Sequence, residues 1–229
     1  MNGGTEMLTF IAAIYNELDE LPGLFGHVYK YVDAIRIVDD GSTDDSAGWL
    51  DWMFLNNFYG IDFLYDTIEH TGLPETVKAK AVSMVTPGSW VLMLDADERF
   101  EEGGLEKICE WLAEEPPENV THVYFTKDEY IDGVFQRSFQ KCHLFRSDAV
   151  TFSDLIHVDD AYVGDPVNIG VKVIHRKSSH KQRTREQEYL LTYKKLLDEG
   201  KIDQGKFDWL RNLHYFEKDL DSVESVVVD

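Results

Sequence analysis

Apolar residues along the chain fall into short unbroken runs separated by segments where they recur every three or four positions. LTFIAAIY (8–15) has the length of a buried strand and closes on Asn16-Glu17. Residues 18–31 then carry Leu18, Leu21, Leu24, Phe25, Val28 and Tyr29 at helical spacing, with Pro22 near the start. AIRIVDD (34–40) is a second strand, ending in the turn Gly41-Ser42-Thr43-Asp44. A helix over about 44–57 follows, with Trp49, Leu50, Trp52 and Met53 facing inward. IDFLYD (61–66) is a third strand, 74–85 a helix, and WVLMLDAD (90–97) a fourth strand. Strands alternating with helices of this length indicate a mostly parallel sheet covered on both faces.

The pattern changes after residue 100. A short helix spans 106–113, and THVYFTKDEYIDG and FQRSFQKCHLFR alternate aromatic with polar positions, as strands with one wet face do. VGDPVNIGVKVIH supplies a further strand or hairpin, and 184–200 and 204–219 read as amphipathic helices broken at Gly200 and Gly205. The expectation is one α/β domain over 1–229. It has a Rossmann-like half at about 7–100, a smaller mixed-sheet half at about 101–180, and C-terminal helices with an acidic tail at about 181–229.

Charge narrows the partners. A net charge of −21 repels phosphate backbones and argues against non-specific nucleic-acid binding. Against that background His175, Arg176, Lys177, His180, Lys181, Arg183 and Arg185 form a basic cluster. The two cysteines, Cys109 and Cys142, make neither a disulfide framework nor a zinc motif and point to a reducing, cytoplasmic setting. The N-terminus lacks a signal-peptide pattern, and no window is apolar for long enough to span a bilayer.

Three polar clusters end predicted strands: Asn16-Glu17, Asp39-Asp40-Gly41-Ser42 and Asp95-Ala96-Asp97-Glu98. Each alone could be an ordinary turn. Parallel strands would bring all three to one sheet edge, where α/β proteins bind ligands. Asp95, Asp97 and Glu98 crowd like charges, which calls for a cation among them, and hard oxygen ligands suit Mg²⁺ or Mn²⁺. On an extended backbone, alternation turns Asp95 and Asp97 to one side, with the small Ala96 leaving room between them.

AAIYNE, IVDDGSTDDS and VLMLDADE, in this order and spacing, resemble the N-terminal half of family 2 glycosyltransferases with the GT-A fold. KCHLFR, FSDLIH and VIH extend the resemblance to about residue 200, toward the branch containing lipopolysaccharide-core glucosyltransferase-like proteins. The resemblance implies an inverting, metal-dependent transfer from a nucleotide-diphospho-sugar, most simply a UDP-sugar, to a hydroxyl acceptor. It assigns Asp97 to the metal and Asp95 to the metal or the ribose, with Glu98 supporting them or orienting the sugar. Asp39 and Asp40 would read the nucleobase, while Ala13, Tyr15, Asn16 and Glu17 would border base and ribose. Lys78 and Lys80 lie where the family places a basic residue facing the nucleotide, although a solvated helix face accounts for either. His175 matches a late metal ligand, and the basic run from Lys177 through Arg183 to Arg185 would neutralise the diphosphate.

One departure stands out. Where the branch has Ile-His-Glu, this chain reads Ile156-His157-Val158, so the general base shifts to Asp159, with Asp160 and Asp154 as the other candidates. His157 then orients the loop or the acceptor. A glycan, a lipid-linked saccharide, a small molecule or, less readily, DNA with hydroxymethylated bases would accept the sugar. Aromatics Tyr124, Phe125, Tyr130 and Phe135 could stack on sugar rings or belong to the core. Two competing functions remain: a sugar-1-phosphate nucleotidyltransferase, against which the missing N-terminal Gly-rich loop counts, and a non-catalytic sugar-nucleotide or glycan-binding relative. An EF-hand reading of DADE fails for want of the other ligands.

Overall fold

The computed structural model describes residues 7–57, 59–153 and 160–212. They form two compact units, one ending at Lys177 and one beginning at Ser178.

In the first unit, β1 (Leu8–Ile14), β2 (Ala34–Asp39), β3 (Asp62–Thr67) and β4 (Trp90–Met93) run parallel in the order β3-β2-β1-β4. The unbroken apolar runs are explained by burial on both faces. Phe10, Ala12, Ile14, Ile35, Ile37, Trp90 and Leu92 point into one core, together with α1 (Leu21–Val28), α2 (Ser46–Asn56) and α4 (Gly104–Ala113). Ile11, Val38, Val91 and Met93 point the other way, onto Val77 and Ala81 of α3 (Pro74–Val82). Alternate residues of each strand thus serve opposite layers.

Phe25 is fully buried and meets Trp49 and Phe63 edge-on at centroid separations of 4.9 and 5.4 Å. Phe25→Ala should therefore cost about 3–5 kcal/mol of stability, read as a lowered urea midpoint at unchanged slope. Trp52 departs from expectation. It is 48% exposed: among the apolar α2 positions only Leu50 and Met53 are buried, with Trp49 partly buried against the core.

Beyond β4 the sheet turns mixed. β6 (Val120–Ile131) and β7 (Val134–Arg146) form a long antiparallel hairpin closed by Asp132 and Gly133, both at positive φ (50° and 79°). That is the Asp-Gly turn whose twist matches the flanking strands. β7 continues the sheet against β4, so the order runs on through β7, β6, β11 (Lys172–Lys177) and β5 (Glu98–Phe100). β8 (Val150–Thr151) and β9 (Ala161–Tyr162) pair separately. The segment 163–175 is not a hairpin: β10 (Asp165–Val167) and β11 both lie parallel to β6. The result is a mixed α/β unit with one mostly parallel half.

The second unit holds α5 (Ser178-capped, Ser179–Asp198) and α6 (Gln204–Asn212). The Ser178 side chain accepts the Lys181 backbone N–H at 3.1 Å, which starts α5 ahead of the predicted residue 184. Among the described residues no helix is long and apolar enough to cross a membrane.

Candidate active site at the strand ends

The carboxyl ends of β1, β2 and β4 meet at the point where strand order reverses, and the loops there are tied to one another. Asn16 takes a positive φ of 55°, and its backbone N–H donates to Ser42 Oγ at 2.8 Å. Its side-chain carbonyl accepts the N–H groups of Thr43 and Asp44 at 2.7 and 3.1 Å. The Glu17 N–H donates to Ser46 Oγ at 3.0 Å, and Glu17 itself is buried. Asn16 and Glu17 therefore pin the β1 end to the loop after β2. Ala13 and Tyr15, half-buried, stand beside them.

Asp39 and Asp40 are both buried but differently engaged. Burial pushes the Asp39 carboxyl above its usual range, partly offset by the Ser42 hydroxyl and N–H that bond to it. Asp40 binds across the loop instead. Its carboxylate accepts the Thr71 N–H at 2.7 Å and the Gly72 N–H at 3.1 Å, and lies 3.0 Å from His70 Nδ1. The His70 ring stacks on Tyr15, with centroids 4.1 Å apart. Gly41 between them needs its φ of 69°, and a Cβ there would meet the His70 amide nitrogen at 2.9 Å.

The acidic stretch after β4 is a turn rather than an extended strand. β4 ends at Met93, and the Glu98 N–H donates to the Asp95 carbonyl at 3.0 Å. In return, the Asp95 N–H donates to Glu98 Oε2 at 2.9 Å. The expected alternation of Asp95 and Asp97 is thus replaced by a turn closed from both ends. Ala96 turns into the core, 3% exposed, so its small size serves packing rather than room for a ligand.

Each acidic side chain has its own basic partner. Asp95 Oδ1 lies 3.4 Å from Nζ of Lys78, which is nearly buried on α3, while the Asp95 carboxylate keeps one side to solvent. Burial favours the neutral carboxyl of Asp95, but Lys78, Lys127 and His175 outweigh it and hold the group well below the usual range. Burial likewise opposes the Lys78 charge, and Asp95, Glu75 and Glu98 overcome it, so Lys78 stays protonated. Asp97 Oδ1 lies 3.0 Å from Nε2 of the buried His175. The register that pairs β11 with β5 sets His175 opposite Glu98 and brings these groups together.

Glu98, 1% exposed, forms a buried ion pair with Lys127 of β6. Its other oxygen lies 3.7 Å from Nδ1 of His143, which donates to the Met93 carbonyl at 2.9 Å. Burial drives the His143 pKa down to about 4, with nearby Lys127 adding to it and Glu98 opposing. The unfolded chain therefore takes up this proton first. Stability from neutral His143 is complete above pH 6.5 and is lost as pH falls toward 4, by up to about 3 kcal/mol. His143→Gln should flatten that limb of a urea-midpoint profile against pH.

The remaining expected residues are scattered. Lys80, two positions from Lys78, faces solvent and pairs with Asp66 at 3.3 Å. Asp160 accepts the Ser153 N–H at 3.4 Å, and its charge raises the pKa values of both Lys78 and Glu75. Asp154 and Asp159, with His157 and Val158, lie outside the described residues. Arg183 and Arg185 sit on α5 of the second unit. Among the described residues no group of three or more His, Cys, Asp or Glu is arranged to hold a metal ion.

Lys127, Glu129, His143 and His70 were not anticipated as site residues. For two of them a signal existed: Val123, Phe125, Lys127 and Glu129 continue one face of β6 at period two, so the apolar face runs on into charge.

A family model described as glycosyl transferase family 2 matches residues 9–157. Among solved structures, Staphylococcus aureus TarS 1–349 in complex with UDP-GlcNAc superposes with a TM-score of 0.55 at 14% identity, covering 97% of this chain and 76% of that one. The mannosyltransferase PcManGT from Pyrobaculum calidifontis, in complex with GDP-Man and Mn²⁺, gives 0.55 at 14% identity, covering 93% and 70%. GalNAc-T7 with UDP, GalNAc and Mn²⁺ gives 0.55 at 7% identity, and this chain spans 48% of its length while 84% of this chain is covered. At such identities the likeness is one of fold, the GT-A fold. A search of curated protein sequences finds no match.

Proposed function

This chain belongs to glycosyl transferase family 2, and we propose that it moves a sugar from a UDP-sugar to a hydroxyl acceptor, with inversion and with a divalent metal at the donor diphosphate. The observation that carries the reading is the turn after β4. It holds Asp97 at 3.0 Å from His175 Nε2, beside the Lys78–Asp95 pair, at the switch point of the parallel sheet.

A carboxylate and an imidazole this close suit Mn²⁺ or Mg²⁺ as two protein ligands, with the other positions left to donor and water oxygens. When bound, the ion would act as a Lewis acid on the diphosphate leaving group. Asp95, held ionised by Lys78, would serve the ribose or the ion. Lys78 would add fixed positive charge toward the phosphates. Asp39 and Asp40 would receive the nucleobase, with Ala13 and Tyr15 at its border and Asn16 and Glu17 holding the loop. The acceptor oxygen attacks the anomeric carbon as the bond to the diphosphate breaks, and the hydroxyl proton passes to a carboxylate. Asp159 is the first assignment for that base, then Asp160, whose charge is felt at Lys78, then Asp154.

On this reading residues 7–100 hold the donor and 101–180 the acceptor. The segments KCHLFR, FSDLIH and VIH support placing the chain near the lipopolysaccharide-core glucosyltransferase-like branch. A glycan or lipid-linked saccharide then fits the acceptor better than DNA, which the −21 charge disfavours.

The test is slow donor hydrolysis with UDP-, GDP-, dTDP- and CDP-sugars, with and without Mn²⁺, reading the anomer released. Metal-dependent release of the inverted sugar from a UDP-sugar is expected, and turnover of none of them overturns the reading. Asp159→Asn should retain donor binding and lose transfer by about 100-fold or more. Full transfer by that variant moves the base elsewhere.

A further inference from the structure

The donor site rests on a charge that lies behind it. Lys127 is a lysine on the inner face of a strand, 6% exposed, with its ammonium on Glu98 and 5.7 Å from the centre of the Phe139 ring. A buried ion pair is costly to desolvate, and an apolar pair of similar volume is often no less stable. Stability alone therefore explains the pair poorly, whereas its position explains it well. Glu98 is the hub of the turn. One oxygen accepts the Asp95 N–H at 2.9 Å, and the other lies 3.8 Å from His175 Nδ1, which has no hydrogen-bond partner among the described residues. Glu129, second on the same face of β6, lies 3.7 Å from that same nitrogen and is itself held by Lys177 and Arg137 at 2.8 Å each.

We propose that Lys127, acting through Glu98, is a positioning residue of the donor site. It fixes the Glu98 carboxylate so that the Asp95–Asp97 turn and the His175 imidazole face one point. Glu98 ties the turn down through the Asp95 amide, and with Glu129 it lines the Nδ1 side of the His175 ring, opposite the Nε2 that meets Asp97. Without Lys127, Glu98 would be a buried unpaired carboxylate that either swings out or takes a proton, and the turn loses its anchor.

This rests on the donor-binding reading above, so the experiment has one arm that needs no ligand. Three proteins are compared with the parent: Lys127→Met, Lys127→Arg, and the double variant Glu98→Leu/Lys127→Met. Amide hydrogen exchange at Asp95 is followed in the unliganded state, and affinity for UDP with Mn²⁺ by calorimetry. Lys127→Met should speed Asp95 exchange and weaken UDP–Mn²⁺ binding by about 10- to 100-fold, the usual effect of removing a group behind a metal ligand. Lys127→Arg should recover most of both. The double variant should melt at or near the parent temperature yet keep fast Asp95 exchange and weak binding, which a merely structural pair would not do. Parent-like Asp95 protection in the double variant overturns the proposal. If the parent itself binds no UDP, the donor reading fails, and the exchange arm still decides whether Lys127 anchors the turn.

Discussion

Asp97→Ala is expected to abolish metal-dependent nucleotide binding while leaving the fold intact. Asp97 sits in a turn with its side chain only 12% exposed, but it belongs to neither apolar core, so its truncation removes no core packing. What goes is the carboxylate 3.0 Å from His175 Nε2. Groups behind a ligand cost 10- to 100-fold in metal affinity when removed, and a ligand itself should cost about 100-fold or more. Calorimetry with UDP and Mn²⁺ reads this directly, and the urea midpoint checks the fold. Parent-like affinity would take Asp97 out of the metal site. Asp97→Asn tests charge against shape: it keeps the geometry and should still lose most of the affinity.

Lys78→Met should do two things at once. Lys78 is nearly buried on α3, and its charge favours the ionised carboxylates of Asp95 and Glu75. Glu75 is buried too, with one oxygen lacking a hydrogen-bond partner among the described residues. Removing one member of a buried pair strands the other. Asp95 reaches solvent on one side, which lowers the cost to about 3 kcal/mol. The sign with pH follows from Asp95, whose pKa is depressed in the folded state. The stability that its pairing contributes is present above the ordinary carboxylate pKa and is lost as pH falls below it. Lys78→Met should therefore be most destabilised near neutrality and converge on the parent in acid, as urea titrations at several pH values would show. Nucleotide affinity should fall in parallel. Lys80→Met, two residues away, should change neither, because its ammonium pairs with Asp66 at an exposed surface.

Much of the first unit was readable in the chain because burial on two faces leaves unbroken apolar runs. LTFIAAI and AIRIVD became β1 and β2 nearly at the expected bounds, while of the strand expected over 90–97 only WVLM became β4. The strand ends bearing Asn16, Asp39 and Asp95 followed once those strands proved parallel. What did not follow was geometry set by distant partners. The DADE stretch looks extended in isolation, but Glu98 pairs with β11 and Lys127, and that pulls residues 95–98 into a turn. Trp52 reads as a core residue by spacing, yet α2 offers the sheet only a narrow stripe. The roles of His70 and His143 depend on Asp40 and on the Met93 carbonyl, 30 and 50 residues away, which no local pattern announces. Lys127 was open to inference, since a lysine continuing a buried apolar face needs an acid opposite it.

The most direct measurement is thermal unfolding of the protein with saturating UDP-, GDP-, dTDP- or CDP-sugar, each with and without Mn²⁺. A ligand at about 100 times its dissociation constant adds about 2.7 kcal/mol, or about 5–10 °C for a chain of this size. A UDP-sugar with Mn²⁺ should produce that rise, with little effect from either alone. If no nucleotide sugar raises the melting temperature with the metal present, the strand-end cluster is not a donor site.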